Sequence, residues 1–187
     1  EGGTLTGAAG ADKAVGTVML ETAAPLKDAY SARVPNVASS YLQKLMTPTS
    51  DLYVSLYVRL HALPAAAARV VQISNAGTTV GNIMVSTSGR LQLRVGSATI
   101  GESAALAVGQ VYRIGIRQKQ GSGGNAVLEG YAASADGVFA GAFAATSLGA
   151  WTTASDQLRV GATSPSAIDV VMDDIRLDAA SMPDGLR

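Results

Sequence analysis

The sequence predicts an all-β fold, on two observations: long stretches of period-two alternation, and turn residues that separate them at short intervals. The clearest stretch is Asp51 to His61, DLYVSLYVRLH. Leu52, Val54, Leu56, Val58 and Leu60 fall on one side, and Tyr53, Ser55, Tyr57, Arg59 and His61 on the other. Successive side chains of a strand point to opposite faces, so this segment reads as a strand with one face in a core; a helix would scatter the same apolar residues around its circumference.

The other elements follow in order. Gly16 to Glu21, Tyr30 to Val34 and Ser40 to Leu45 read as strands ahead of the long one. Pro64 to Ala68 reads as a loop, because Pro64 and its shortness oppose a helix. Arg69 to Ser74 precedes the turn Asn75-Ala76-Gly77, Gly81 to Ser86 precedes Thr87-Ser88-Gly89, and Arg90 to Val95 aligns Leu91, Leu93 and Val95. Val111 to Gln118 sets Tyr112, Ile114 and Ile116 against Arg113 and Arg117. Gly121 to Asn125 (GSGGN) is a hairpin loop, since Gly and Asn reach positive φ at little cost, and Ala126 to Ala132 is the return strand. A loosely patterned strand is expected around Val138 to Phe143, then strands at Asp156 to Gly161 and Ile168 to Leu177. Many regular strands with turn chemistry between them indicate a sandwich or barrel. No repeat, linker or charge run divides the chain, so residues 1–187 are read as one domain. Glu1 to Asp12 reads either as an arm handed to a neighbouring subunit or as a first edge strand.

Composition narrows the function classes. The 187 residues carry 14 basic and 14 acidic side chains. That balance argues against a nucleic-acid binder, which needs a basic face to neutralise phosphates, and gives no attraction to an anionic membrane. No stretch approaches the roughly 20 apolar residues of a membrane span. Cysteine is absent and histidine occurs once, so thiolate and multi-histidine zinc sites are excluded. A chain beginning at Glu1 is expected to be a processed or excised segment.

The order of the motifs resembles the concanavalin A-like, laminin-G-like jelly-roll family over nearly the whole chain. The carriers are Tyr30-Ser31-Ala32-Arg33-Val34, the strand 52–60, Gly89-Arg90-Leu91-Gln92-Leu93 and Val108-Gly109-Gln110-Val111-Tyr112-Arg113-Ile114, then Arg159-Val160-Gly161 and Val171 to Leu177. Tyr112 stands where that family usually has Trp. The resemblance implies a two-sheet antiparallel jelly-roll sandwich. Fold alone leaves function open, because the family includes lectins, glycanases, adhesion modules and virion proteins.

Each candidate site has two readings. Glycan hydrolysis uses two facing carboxylates, and the Glu-x-Asp-x-x-Glu strand that the glucanase members carry is missing. Glu1, Glu21, Glu102 and Glu129 are isolated, and Asp173 and Asp174 alternate across their strand. No catalytic residue is therefore assigned, and the chain is expected not to be an enzyme. The lone His61 reads as a surface histidine or as part of a ligand face. Tyr53, Tyr57, Arg59 and His61 project together, and Arg90, Gln92, Arg94, Arg113 and Arg117 extend that face if their strands share the sheet. Tyr rings offer platforms for sugars, and Arg and Gln donate to hydroxyls or acidic groups; alternatively the same residues simply cover a sheet. Trp151 is a loop contact for a ligand or a core plug. Asp173 and Asp174 near the terminal strand suit a structural calcium, or else one bonds turn amides and the other faces water.

These readings lead to a non-catalytic extracellular recognition or adhesion module for a glycan or surface polymer. The alternative is a structural component of a virion or surface assembly, acting through protein partners or self-association. An extracellular, cell-surface or virion-surface setting goes with both.

Overall fold

The computed structural model describes residues 4–7, 10–149 and 151–183. Fourteen strands and no helix are found among them. They build two seven-stranded antiparallel sheets packed face to face. The first sheet runs β12 (Ala142–Thr146), β11 (Val127–Ser134), β10 (Val111–Lys119), β5 (Asp51–Leu60), β14 (Ile168–Asp178), β3 (Ser31–Val37) and β2 (Met19–Glu21). The second runs β1 (Lys13–Val15), β4 (Ser40–Thr49), β13 (Ser155–Ala162), β6 (Ala68–Asn75), β7 (Thr78–Val85), β8 (Arg90–Val95) and β9 (Ala98–Ala105). The chain crosses repeatedly between the sheets, as at Ser50, which alone separates β4 from β5.

Alternation explains the layering. Val54, Leu56, Val58, Ile114, Ile116 and Leu128 point inward from the first sheet, and Val71, Ile73, Ile83, Leu91, Leu93, Leu158 and Val160 meet them from the second; all are buried. Each such side chain contributes about 1.5–3 kcal/mol relative to exposure. Between the layers, a Cβ at Gly81 would lie 2.4 Å from the Leu128 Cδ1 atom, so that leucine would have to shift to admit any larger residue. The edges differ. At one end β9 meets β12, with Gly101 under Ala144. The other end is open, and a cleft of about 1020 Å³ lies there, lined by Leu20, Tyr30, Leu42, Lys44, Ile175 and Leu177 among others.

Three local expectations change. The segment 16–21 is not one strand. Gly16, at φ +67° and packed against Ser40, breaks it, so that β1 joins β4 of the second sheet while β2 joins β3 of the first. The strand expected at 138–143 lies instead at Ala142–Thr146. The preceding residues, poor in β-branched side chains and bounded by Gly137 and Gly141, cross the outer face of the first sheet. Asp173 and Asp174 do not simply alternate, because the register with β5 shifts between Asp173 and Arg176 and Asp174 takes φ +44°.

Candidate functional site

The face expected to carry the site is the outer side of the first sheet. Register brings Tyr57 opposite Arg113, Tyr53 opposite Arg117 and Arg59 opposite Val111, so Tyr53, Tyr57, Arg59, Arg113 and Arg117 do share a face. It is not an open platform. Tyr57 and Arg113 are each 1% exposed. The Tyr57 hydroxyl donates to Asp136 Oδ1 at 2.7 Å, and Lys27 lies over the Tyr57 ring at 4.4 Å while pairing with Asp136. Burial, then the bond to Asp136, pushes the Tyr57 phenol up; the Lys27 ammonium and the Tyr57 hydroxyl hold Asp136 down.

Most other charges on this face neutralise one another. Arg117 makes a two-pronged contact with Asp51 (3.0 and 2.9 Å) and reaches Glu129 at 3.4 Å; the bond to Asp51 raises its pKa. Arg33 bridges Asp169 and Glu21, and Arg176 pairs with Asp174. Asp173 Oδ2 accepts from Ser31 Oγ at 2.7 Å and from the Lys27 amide at 2.9 Å, and its Oδ1 accepts the Asp174 amide at 2.8 Å. His61 is exposed just beyond the end of β5. Trp151 is buried in the core, with its backbone paired to Gly121 beyond the far end of β10 from Arg113. Arg90, Gln92 and Arg94 lie on β8, in the other sheet, so they do not extend this face.

The outer side of the second sheet differs in how its charges are paired and not in openness, since Gln72 and Asn82 on it are 4% and 1% exposed. Its registers join Gln43 to Arg159, Arg159 to Gln72, Gln72 to Asn82, Asn82 to Arg94 and Arg94 to Thr99. Six strands thus carry one polar row, which spans five strand spacings, about 24 Å. Leu42, Leu158, Val160, Ile73, Ile83 and Leu93, the chain neighbours of these residues, point into the core, and this alternation fixes the row on the outside. Arg69 and Met84 lie opposite each other one step along, and Tyr41 flanks Gln43 with the Arg159 guanidinium 5.0 Å from its ring centre.

Among the described residues, Arg69, Arg94 and Arg159 form no ion pair with a carboxylate. Arg69 Nη1 donates to Gln72 Oε1 at 3.0 Å, Gln72 Nε2 donates to Thr79 Oγ1 at 2.8 Å, and Arg159 Nε donates to Gln43 Oε1 at 2.9 Å. Arg69 Nε, Arg94 Nε, Asn82 Oδ1 and Gln157 Oε1 are buried without a described partner. Burial, and then the charge of Arg94, lowers the pKa of Arg69. Two half-buried cations that repel each other, beside unsatisfied amide and guanidinium atoms, form a surface ready to receive an anion with hydroxyl groups. Reading single strands could not find this row. Arg69, Gln72, Asn82 and Arg159 each sit on the polar side of an alternating strand, but only pairing across β13, β6, β7 and β8 puts them in line.

No family model matches the sequence, and no curated protein matches it. Solved structures share its fold at low identity. The endo-β-1,4-glucuronan lyase of the fungus Trichoderma reesei matches at 13% identity and a TM-score of 0.65, covering 92% of each chain. Alginate lyase Aly36B matches at 10% identity and 0.60, covering 84% of each. A Trypanosoma rangeli sialidase matches at 11% identity and 0.58 over 82% of this chain, which spans only 26% of the sialidase. The jelly-roll sandwich is thereby established. The expectation of a non-catalytic recognition or adhesion module, and of no enzyme, is corrected by the same finding, as is the virion or surface-assembly alternative. That expectation rested on the missing carboxylate pair, yet these sandwiches are carbohydrate-active enzymes and two of them are lyases, so a missing hydrolase pair does not mark the fold as inert.

Proposed function

We propose that this chain is a carbohydrate-active enzyme of the concanavalin A-like sandwich class that cleaves an acidic, uronate-bearing polysaccharide by elimination. The polymer lies across the Gln43–Arg159–Gln72–Asn82–Arg94 row. The observation that carries this reading is the set of guanidinium groups on that face with no described carboxylate beside them. A sugar carboxylate between Arg69 and Arg94 would remove their mutual repulsion.

Elimination suits such a site better than hydrolysis. Glu102 is hydrogen-bonded to Gln92 at one end of the row, and Asp12 lies beside Gln43 at the other, engaged by Lys44 and the Leu45 amide, so the two do not face each other as a two-carboxylate mechanism requires. Elimination from a uronate needs the carboxylate neutralised, which makes the adjacent C5 proton removable. The electron pair of that C–H bond then forms the C4–C5 double bond, the C4–O4 bond breaks, and O4 takes a proton. Arg159 neutralises the carboxylate of the sugar that reacts, while Arg69 and Arg94 hold that of a neighbouring sugar. Tyr41, whose ring centre lies 5.0 Å from the Arg159 guanidinium, takes the C5 proton as its phenolate and returns a proton to O4 as the phenol. A variant of Aly36B in which one lysine and one tyrosine are replaced by alanine is known in complex with an alginate tetrasaccharide, which gives a probe of suitable size.

The test is to incubate the chain with polyglucuronate, alginate and a neutral glucan, following the ultraviolet absorbance of an unsaturated product. Absorbance should rise with an acidic polymer only, and fall by a factor of about 100 in Tyr41→Phe. A folded chain that yields no product from either polyuronate overturns the proposal. An extracellular setting, where such polymers occur, belongs to the same proposal. So does a structural calcium at Asp173 and Asp174, which would have to displace the amide, hydroxyl and Arg176 contacts already made there; a rise in melting temperature with calcium checks it.

A further inference from the structure

Residues 135–141 close over the outer face of the first sheet, in a place the proposed reaction does not use. The segment leaves β11 at Ala135, a non-glycine residue at φ +44°; besides the backbone bonds of Ala135 to Val111 and of Gly137 to Ser134, it is held by side chains at two points. Asp136 accepts the Tyr57 hydroxyl and pairs with Lys27. Phe139 lays its ring 4.1 Å from the Arg113 guanidinium and 5.5 Å from the Tyr131 ring. Gly115 makes this seat, since a Cβ there would stand 3.1 Å from the Phe139 ring. Val138, between the two anchors, is 68% exposed. An apolar side chain left in water and a strained entry residue describe a segment pinned at two points rather than packed along its length.

Beneath it lies Arg113, 1% exposed, whose Nε and Nη1 have no partner among the described residues. A ring face compensates a buried guanidinium only in part, and open N–H groups in a desolvated place are costly. Asp136, whose charge is felt at this point, is already engaged by Lys27 and Tyr57. The fork of nitrogens matches a carboxylate in geometry, and the Tyr131 ring, opposite Gly115 and covered by Phe139, offers a flat surface to a sugar once that segment lifts.

We infer that Arg113 is the centre of a second, covered site for the carboxylate of an acidic sugar, with residues 135–141 as its cover. The ligand class rests on the acidic-glycan reading above; the site itself does not depend on the row. Lifting the cover exposes the Arg113 fork near the Tyr131 ring, so the sandwich would grip a polymer on both outer faces. One face does the chemistry and the other holds on.

The experiment is calorimetric titration with alginate tetrasaccharide in an Arg94→Gln background, which weakens the row. Adding Asp136→Ala, which frees one anchor and also removes a carboxylate whose charge reaches Arg113, should raise affinity at least tenfold. So should Phe139→Ala, which frees the other anchor and keeps that carboxylate; adding Arg113→Gln to either should abolish the gain. A gain missing from either variant, or one that survives Arg113→Gln, overturns the inference. If Asp136→Ala does not fold, Phe139→Ala is read alone. Undiminished binding by Arg94→Gln alone would instead count against the row.

Discussion

At the scale of single residues, a half-buried arginine without a counter-ion is a liability to the empty protein and an asset to the loaded one. Arg94 shows this most directly, since its Nε is unpartnered and its charge bears on Arg69. Arg94→Met keeps the stem's packing and removes both burdens. It should stabilise the empty chain by about 0.5–1 kcal/mol, a rise of about 1–4 °C in a melting scan, while lowering affinity for an acidic oligosaccharide at least tenfold. A fall in melting temperature would mean that the guanidinium is better satisfied than its contacts suggest. Tyr57 teaches a related lesson about legibility. Its place on the polar side of DLYVSLYVRLH was plain from alternation, but its burial was not. Nothing local announces that Asp136, 79 positions away, will lie against its hydroxyl.

At the scale of elements, alternation fixed strands well where β-branched residues were dense and poorly where Ala and Gly prevailed. β5, β6, β8, β10 and β14 fall where the pattern put them, whereas β12 slid toward 142–146 and left 135–141 to become a cover. Which strands share a sheet depends on non-local pairing, so alternation alone leaves open whether Arg94 shares a face with Tyr57; the two lie on opposite outsides of the molecule. The cover carries its own pH signature. Asp136 is held below its ordinary 3.8, so its contribution is complete above that value and is lost as pH falls through the lowered one. Lys27 is raised above its ordinary 10.5, chiefly by Asp136, so its contribution is complete below that value and is lost as pH rises through the raised one. The cover should therefore stay anchored across the neutral range and loosen at both extremes. Hydrogen exchange near residues 135–141 should accelerate below pH 3.8 in the wild type and be fast at neutral pH in Asp136→Asn; equal rates in the two proteins at neutral pH would show that Phe139 alone holds it.

At the scale of the whole molecule, both outer faces take their position from one shared core, and the Gly81–Leu128 contact ties the sheets together. Gly81 precedes Asn82, the middle of the polar row, and Leu128 precedes Glu129, which holds Arg117 and Tyr131 on the other side. Close-packed interiors transmit such strain. Gly81→Ala places a methyl 2.4 Å from Leu128 Cδ1 and should cost about 1–3 kcal/mol by overpacking. Leu128→Ala, at a fully buried position, should cost about 2–5 kcal/mol through lost contacts and a cavity. In the double variant the new methyl enters space the leucine has left, so the two costs should fall short of their sum by about 0.5–3 kcal/mol. The same cycle read by turnover of an acidic polymer should show Gly81→Ala impaired and the double variant partly restored, because the displacement of Asn82 is relieved along with the clash. Strict additivity in stability would show that the layers yield independently at this point, and that the row is positioned by its own sheet alone.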